Sequence, residues 1–416
     1  MHNDLYIALR FLLAKKRAML MSLSGIIFGI GLFVVTQAQT AGFEHFFIRT
    51  VLGTDGALRV QDRFQDTLAS MAVKNESGKT LSRISLSKER RYIAGVQYPD
   101  KIIEALKEFE NVSGASAVLR GNVEIDSNFR LESAEIFGVN LDDHLNVSDL
   151  GHQIIFGDLD AFRSNPKGAL VGSMLADRLN ITVGDAIVLT QAGRSGRFRV
   201  SAIFESGVEH VDKQRVIVHL PEALAILAQP FDVTYIQASL LDTDRAPNDA
   251  DQMQDVLGHA IEPWQEREKI WLDVFHALRA SSAITVSTII LISGLGMFNT
   301  LAMIVMEKTK EIAILRSMGY TRRDIARIFL LQGGVVLCAG ALGGCILGAF
   351  STWLVSSIPL RIRGIFSTDH FVVYWSPWHY VAAVASATVV VMIASWVPAR
   401  RAARLEPGEI IRGTAA

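Results

Sequence analysis

The sequence predicts an α-helical membrane protein with four transmembrane helices, arranged one plus three, and a large mixed α/β (α+β) extracytoplasmic domain between the first and second helices. Three observations carry this. Half of the 416 residues are hydrophobic, more than a typical soluble domain holds. The excess sits in four blocks, each near the ~20 apolar residues that a helix needs to cross the hydrocarbon core. The long stretch between the first two blocks is polar enough to fold in water and mixes strand-like with helix-like patterns.

Residues 1–17 come first. Leu5, Ile7, Ala8, Phe11 and Leu12 predict a short amphipathic helix on the cytoplasmic surface. The spans are expected at 18–36, 284–305, 328–354 and 380–397. Orientation follows from basic flanks, because short cytoplasmic segments carry an excess of Lys and Arg. Arg10, Lys15, Lys16 and Arg17 precede the first span; Lys308, Lys310, Arg316, Arg322, Arg323 and Arg327 lie between the second and third; Arg400, Arg401, Arg404 and Arg412 follow the fourth. The 355–379 connection has only Arg361 and Arg363. Segments 306–327 and 398–416 are therefore expected inside with both termini, and 37–283 and 355–379 outside. A cleaved signal peptide is the alternative for the first block, since Ala38 and Ala41 follow it. The long, partly apolar flank ahead of it favours retention.

In the outer segment, Phe43, Phe46 and Phe47 have i, i+3, i+4 spacing, so the first helix is expected to continue as a stalk. Residues 263–283 predict a return stalk, with Trp264, Trp271, Val274, Phe275 and Leu278 on its apolar side. Strands are expected at 57–60, 117–125, 134–139, 186–190, 197–204, 215–219 and 234–240, and helices at 99–109, 173–179, 221–227 and 249–257. Pro99 and Pro221 stand where a helix start tolerates proline, and Gly193, Ser195 and Gly196 mark a turn. Residues 67–92 read as a loop or an added hairpin, and 242–251 as a surface loop.

The chemistry-bearing motifs are missing. There is no GxxxxGK[ST] loop, HExxH, CxxC or GxSxG. The histidines, among them His144, His210, His219 and His259, lack metal-ligand spacing. Cys338 and Cys345 lie in an apolar block as small helix residues. Catalytic and metal sites are expected to be absent. A net charge of −1 argues against nucleic acid as a partner. No charge stands mid-span, which disfavours ion-coupled transport. Gly25 and Gly29, and Gly340, Gly344 and Gly348, form small-residue steps for close helix packing, either across a dimer seam or within one subunit.

The informative segment lies between the second and third spans. Ile312, Leu315 and Met318 share a helical face, Gly319 supplies a stop, and Thr321 with Asp324 fits a capping box. A rigid helix there can be an ordinary surface helix or a coupling helix docked on a partner ATPase.

The run MEKTKEIAILRSMGYTRRDIARIFLLQG resembles the cytoplasmic turn of FtsX-like/MacB-type ABC transporter permeases, and most of all their lipoprotein-releasing (Lol) branch. IALRFLLAKKR, GALVGSMLADRLNITVGDAIVLTQAG, FRVSAIFESG, IEPWQER and WVPARRAARLEPGEIIRG are similar as well, so the resemblance touches most of the chain. It implies a permease subunit in a bacterial inner membrane. A separate cytoplasmic ATPase dimer would hold ATP and Mg, this chain would hold no cofactor, and a second permease subunit, like or unlike, would complete the complex. ATP-driven closure would move stalks and outer domains, a mechanism called mechanotransmission. It also implies an ATPase contact at Glu307, Lys308, Glu311, Ile312, Leu315, Arg316 and Gly319. A lipoprotein or other lipid-like substrate would touch Phe43, Phe46 and Phe47 and the first two spans, with membrane lipids around them. Lol permeases that recruit a periplasmic lipoprotein chaperone carry a protruding hook. The corresponding hairpin, Gln191–Arg197, is short and lacks proline, a departure that leaves open a chaperone partner, a non-recruiting place in a heterodimer, or another export system. The competing expectations are a tripartite efflux permease with a periplasmic adaptor, and an FtsX-like regulator of a cell-wall hydrolase.

Overall fold

The structure is a computed structural model that describes residues 2–14, 16–65, 70–74, 80–84, 91–127, 130–227, 229–359 and 370–405. Residues 47–272 cluster as one compact unit, the insert domain, and the membrane-type helices as another.

The helical unit begins with an entry helix, His2–Ala14. Four helices are long and apolar enough to cross a membrane. The first, Lys16–Asp55, has 40 residues, and the second, Lys269–Glu307, has 39. At 1.5 Å per residue each is about 60 Å long, roughly twice the hydrocarbon thickness. No proline interrupts either one. The third runs Arg322–Ser356 and the fourth Pro377–Ala403. Each expected span lies inside one long helix.

Small residues set how these helices meet. A Cβ on Gly340, Gly344 or Gly348 would stand 2.7 Å from Ile26, 2.6 Å from Ile30 and 2.9 Å from Val34. One on Gly25 or Gly29 would stand 2.8 Å from Ser293 and 2.9 Å from Ile290. All five glycines are thus occupied by packing inside one chain, the first helix lying between the second and third. On the fourth helix, Ala383, Ala387, Val391 and Ser395 form a buried stripe at four-residue spacing. In lipid, where water supplies no drive between helices, such close approach holds the bundle together.

The insert domain is built on one sheet. Its strands are β1 Leu58–Gln65, β2 Ser70–Lys74, β3 Thr80–Ile84, β4 Arg91–Ile93, β5 Val112–Asp126, β6 Leu131–Val139, β7 Ile154–Gly157, β8 Gly168–Gly172, β9 Ala186–Gln191, β10 Arg194–Phe204, β11 Arg215–His219, β12 Tyr235–Leu240 and β13 His259–Pro263. The order is β13-β1-β12-β5-β6-β11-β8-β10-β7, with β4 on β1, and β9 bridging β10 and β5. Pairs β6/β11 and β8/β10 are parallel and the others antiparallel. β2 and β3 pair antiparallel as a separate two-stranded sheet, while residues 67–69, 75–79 and 85–90 of the stretch expected as a loop or an added hairpin lie outside the described residues. Helices Ser173–Leu179 and Leu220–Ile226 cover a core containing Leu119, Ile136, Val171 and Phe198. Helices Pro99–Lys107 and Ala246–Leu257 cover a second around Leu58, Leu106, Ile236 and Trp264.

Four expectations change. The 242–251 loop is a 3₁₀ turn, Thr243–Arg245, capped by Asp242, leading into a helix from Ala246. Pro247 fits its first turn, where no N–H is needed. Residues 263–283 are not one stalk. Pro263 ends β13, a short helix Trp264–Arg267 follows, and the long helix starts at Lys269. Of the stalk's apolar side, Trp264 and Phe275 are buried, whereas Trp271, Val274 and Leu278 are exposed. Finally, the entry helix buries Ala8, Phe11 and Leu12 against the chain itself.

Candidate coupling site

The second long helix ends at Glu307, and Lys308 starts a connecting helix, Thr309–Ser317. Lys308 Nζ meets Glu311 Oε1 at 2.5 Å, one turn on. Gly319, at φ +102°, ends the helix in the left-handed region that favours glycine. Thr321 and Asp324 then close a capping box. Thr321 Oγ1 accepts the Asp324 N–H at 3.3 Å, and the Asp324 carboxylate accepts the Thr321 N–H at 2.9 Å and its hydroxyl at 2.6 Å. The chain therefore turns from the second to the third long helix through three fixed joints.

The inner face of the connecting helix is wedged into the helical unit. Ile312 is fully buried in a cluster with Phe11, Ile304, Ile325, Phe329 and Ala402, and Leu315 packs on its edge. Arg316 Nη1 donates to the carbonyls of Leu405, at 2.6 Å, and Ala403, at 3.4 Å. Buried Gln332 Nε2 donates to the Ala8 carbonyl at 3.4 Å. Entry, connecting, third and fourth helices are thus one packed block, and a force on the connecting helix reaches all of them.

This corrects part of the contact set expected from the sequence. Ile312 faces the chain's own core, Leu315 is half-buried, and Arg316 serves the carbonyls after the fourth helix. Met318, expected on their face, points outward because the helix ends at Ser317. The surface left to a partner has Lys310, Glu311, Ile314, Ser317 and Met318, with Ile314 53% and Met318 75% exposed. Glu307 is exposed and Lys308 half-buried. A Cβ on Gly319 would meet nothing within 4 Å.

The aromatic cluster expected to touch substrate is less open than its spacing suggests. Phe43 is half-buried with its ring 5.2 Å from Phe371, edge-on. Phe46 is half-buried. Phe47 is buried, 5.6 Å from the Trp271 ring. Around Phe43, Gln37 donates to Ser282 at 3.1 Å, Glu44 pairs with Arg279, and Tyr374 N–H donates to the Ala38 carbonyl at 2.9 Å. Among the described residues no group of three His, Cys, Asp or Glu is placed to hold a metal.

A family model for the MacB-like periplasmic core domain matches residues 19–256, and one for the FtsX-like permease C-terminal region matches 283–407. The chain belongs to the FtsX-like, MacB-type family of ABC transporter permeases. The permease is 25% identical over 445 residues to the lipoprotein-releasing system transmembrane protein LolC of Xylella fastidiosa, covering 99% of this chain and 100% of that one. It is 25% identical to LolE, of the same system, from Haemophilus influenzae, over 74% of this chain and 79% of that one. A 33% identical match to the macrolide export ATP-binding/permease protein MacB of Shewanella oneidensis covers 31% of the permease and 18% of that protein. The short hairpin expected at Gln191–Arg197 closes in a two-residue turn, and Ser195 and Gly196, expected in that turn, stand inside β10. Ala192 and Gly193, at φ +47° and +82°, join β9 to β10.

A second feature, a charged cleft in the insert domain, carries no mark in the sequence. Asp55, Arg59, Arg120, Glu135, Arg215 and Arg267 line it together. Arg59, Arg120, Glu135 and Arg215 stand on β1, β5, β6 and β11, while Asp55 ends the first long helix and Arg267 the short helix Trp264–Arg267.

Proposed function

We propose that this permease couples ATP hydrolysis in a separate cytoplasmic ATPase to the extraction of a lipoprotein, or another lipid-like substrate, from the inner membrane. The outward face of the connecting helix, Ile314 and Met318 flanked by Lys310 and Glu311, carries the reading. It is an apolar patch with charged edges on a helix that is wedged into the whole helical block, which suits docking and force transfer. The end-to-end likeness to LolC supports the substrate class. In this account both termini and the connecting helix are cytoplasmic, as the basic flanks require, and a second permease subunit completes the transporter. Phe43 and Phe46 take the acyl chains, backed by buried Phe47. Each acyl CH₂ is worth about 0.8 kcal/mol in lipid, so extraction needs an apolar shelter and an energy source.

The test is to purify the complex from its native membrane in mild detergent and identify its companions by mass spectrometry. A P-loop ATPase with lipoproteins supports the proposal, and Phe46→Asp should then lose the lipoproteins while keeping the ATPase. A periplasmic adaptor in place of lipoproteins would turn the substrate reading to efflux, and a cell-wall hydrolase would turn it to regulation.

A further inference from the structure

The cleft in the insert domain has a volume of about 680 Å³, within the roughly 300–1,000 Å³ that suits a drug-sized ligand. Its wall has two characters. Phe47, Val51, Val208, Val211 and Trp271 form an apolar side. The rest is charged, and the charges do not balance.

Three of the acids each have a cation of their own: Glu135 with Arg120 at 2.5 Å, Glu268 with Arg267 at 3.3 Å, and Glu209 with Lys213. Asp55 alone serves two guanidinium groups, Arg215 at 3.3 Å and Arg59 at 3.7 Å. One positive charge is left over. Hydrogen bonding repeats the pattern. Arg59 Nε, Arg215 Nε and Arg267 Nη1 are buried N–H donors that find no acceptor among the described residues. The side chains of Arg215 and Arg267 are 9% and 8% exposed. Buried charged donors are costly without an acceptor, and three around one cleft call for an anion. Neighbouring aromatic rings fix the guanidinium planes: Arg215 lies 3.8 Å over Phe137, and Arg59 lies 4.4 Å over Tyr235. A fixed fork suits a carboxylate or phosphate.

We infer that this cleft binds an anionic amphiphile, its carboxylate or phosphate head on Arg59, Arg215 and Arg267 and its apolar body against Phe47, Val51 and Trp271. The site needs no ATPase and no second subunit, so it stands apart from the transport reading. The head answers the surplus positive charge of the arginine cluster, and the apolar side predicts that a bare anion binds more weakly.

The test uses the full-length permease in discs of zwitterionic lipid, with empty discs as the blank. Octyl phosphate, octanoate, octanol and inorganic phosphate are titrated by calorimetry. One saturable site is expected for octyl phosphate or octanoate, and which binds tighter names the head. Octanol and inorganic phosphate should bind at least tenfold more weakly. Arg267→Gln and Trp271→Ala should each weaken the better amphiphile at least tenfold. Trp271 is half exposed, so its variant keeps the test decisive if Arg267→Gln does not fold. Any of three results would overturn the inference: no heat beyond empty discs for either amphiphile, unchanged binding in both folded variants, or inorganic phosphate binding as tightly as octyl phosphate.

Discussion

Lowering the pH from 7 to 4 should loosen the insert domain, with His144 responsible for most of the loss. His144 sits on the short helix Leu141–Leu145 and is buried. Burial, reinforced by the charge of Arg215 and opposed by that of Asp55, pushes its pKa from 6.5 down to about 4. The unfolded chain therefore takes up a proton that the folded domain refuses. Stability is full above pH 6.5 and is lost as the pH falls through the window down to about 4. At 1.36 kcal/mol per pH unit the loss is roughly 3 kcal/mol. Asp212 works in the opposite direction. Burial raises its pKa, so protonating it on the way down adds stability and trims the loss. Asp55, held below its usual range by Arg215, Arg59 and Arg267 against its burial, contributes only below about pH 4. Urea unfolding of the purified permease, read by pulse proteolysis of the insert domain at several pH values, measures the slope. His144→Gln should shift the whole curve yet flatten it between pH 6.5 and 4. An equal slope in variant and wild type would refute the reasoning.

Four further outcomes are expected. Gly344→Ala puts a Cβ 2.6 Å from Ile30 and should cost about 1–3 kcal/mol by overpacking, seen as a lower melting temperature in detergent. Gly334→Ala, with nothing within 4 Å of the added atom, should be neutral or stabilising by up to about 1 kcal/mol. Arg215→Gln should cost about 1.5–3 kcal/mol in the same unfolding assay, the range for a lost charged hydrogen bond, because Asp55 keeps its second guanidinium partner, Arg59, at 3.7 Å. Arg316→Gln should release the segment after the fourth helix from its two carbonyl bonds, giving faster tryptic cleavage after Arg401 and Arg404 while the ATPase stays bound.

Much of the fold is legible because the membrane imposes one rule on long segments. An apolar run of the right length must be helical, and the four runs stand out. The insert's long strands are legible from alternating β-branched and aromatic residues, such as Phe198 and Val200 on β10. Short β9, β11 and β12 are expected too, at 186–190, 215–219 and 234–240, whereas other short strands leave no mark. β8, Gly168–Gly172, is buried throughout and has no alternation to mark it, and β4 and β7 have three and four residues. At the coupling site, the caps at Gly319 and Thr321 are local chemistry and can be read directly. Which face of the connecting helix points outward depends on where Phe11, Phe329 and Ala402 sit, and these come from three other helices. Periodicity selected Ile312, Leu315 and Met318, yet packing buries the first, half-buries the second and frees the third. The cleft was unreadable for the same reason on a larger scale, because Arg120, Glu135 and Arg215 meet through strand order and Asp55 reaches them from the end of the first long helix.

The most direct test of the account is capture of the ATPase through the outward face of the connecting helix. The measurement is the ATPase-to-permease ratio in complexes purified from native membrane, for wild type and for Ile314→Asp with Met318→Asp. Both side chains are exposed, so the account predicts an unchanged melting temperature of the permease and an ATPase ratio reduced at least tenfold. An unchanged ratio in the folded double variant, or a wild-type permease that carries no P-loop ATPase, would contradict it.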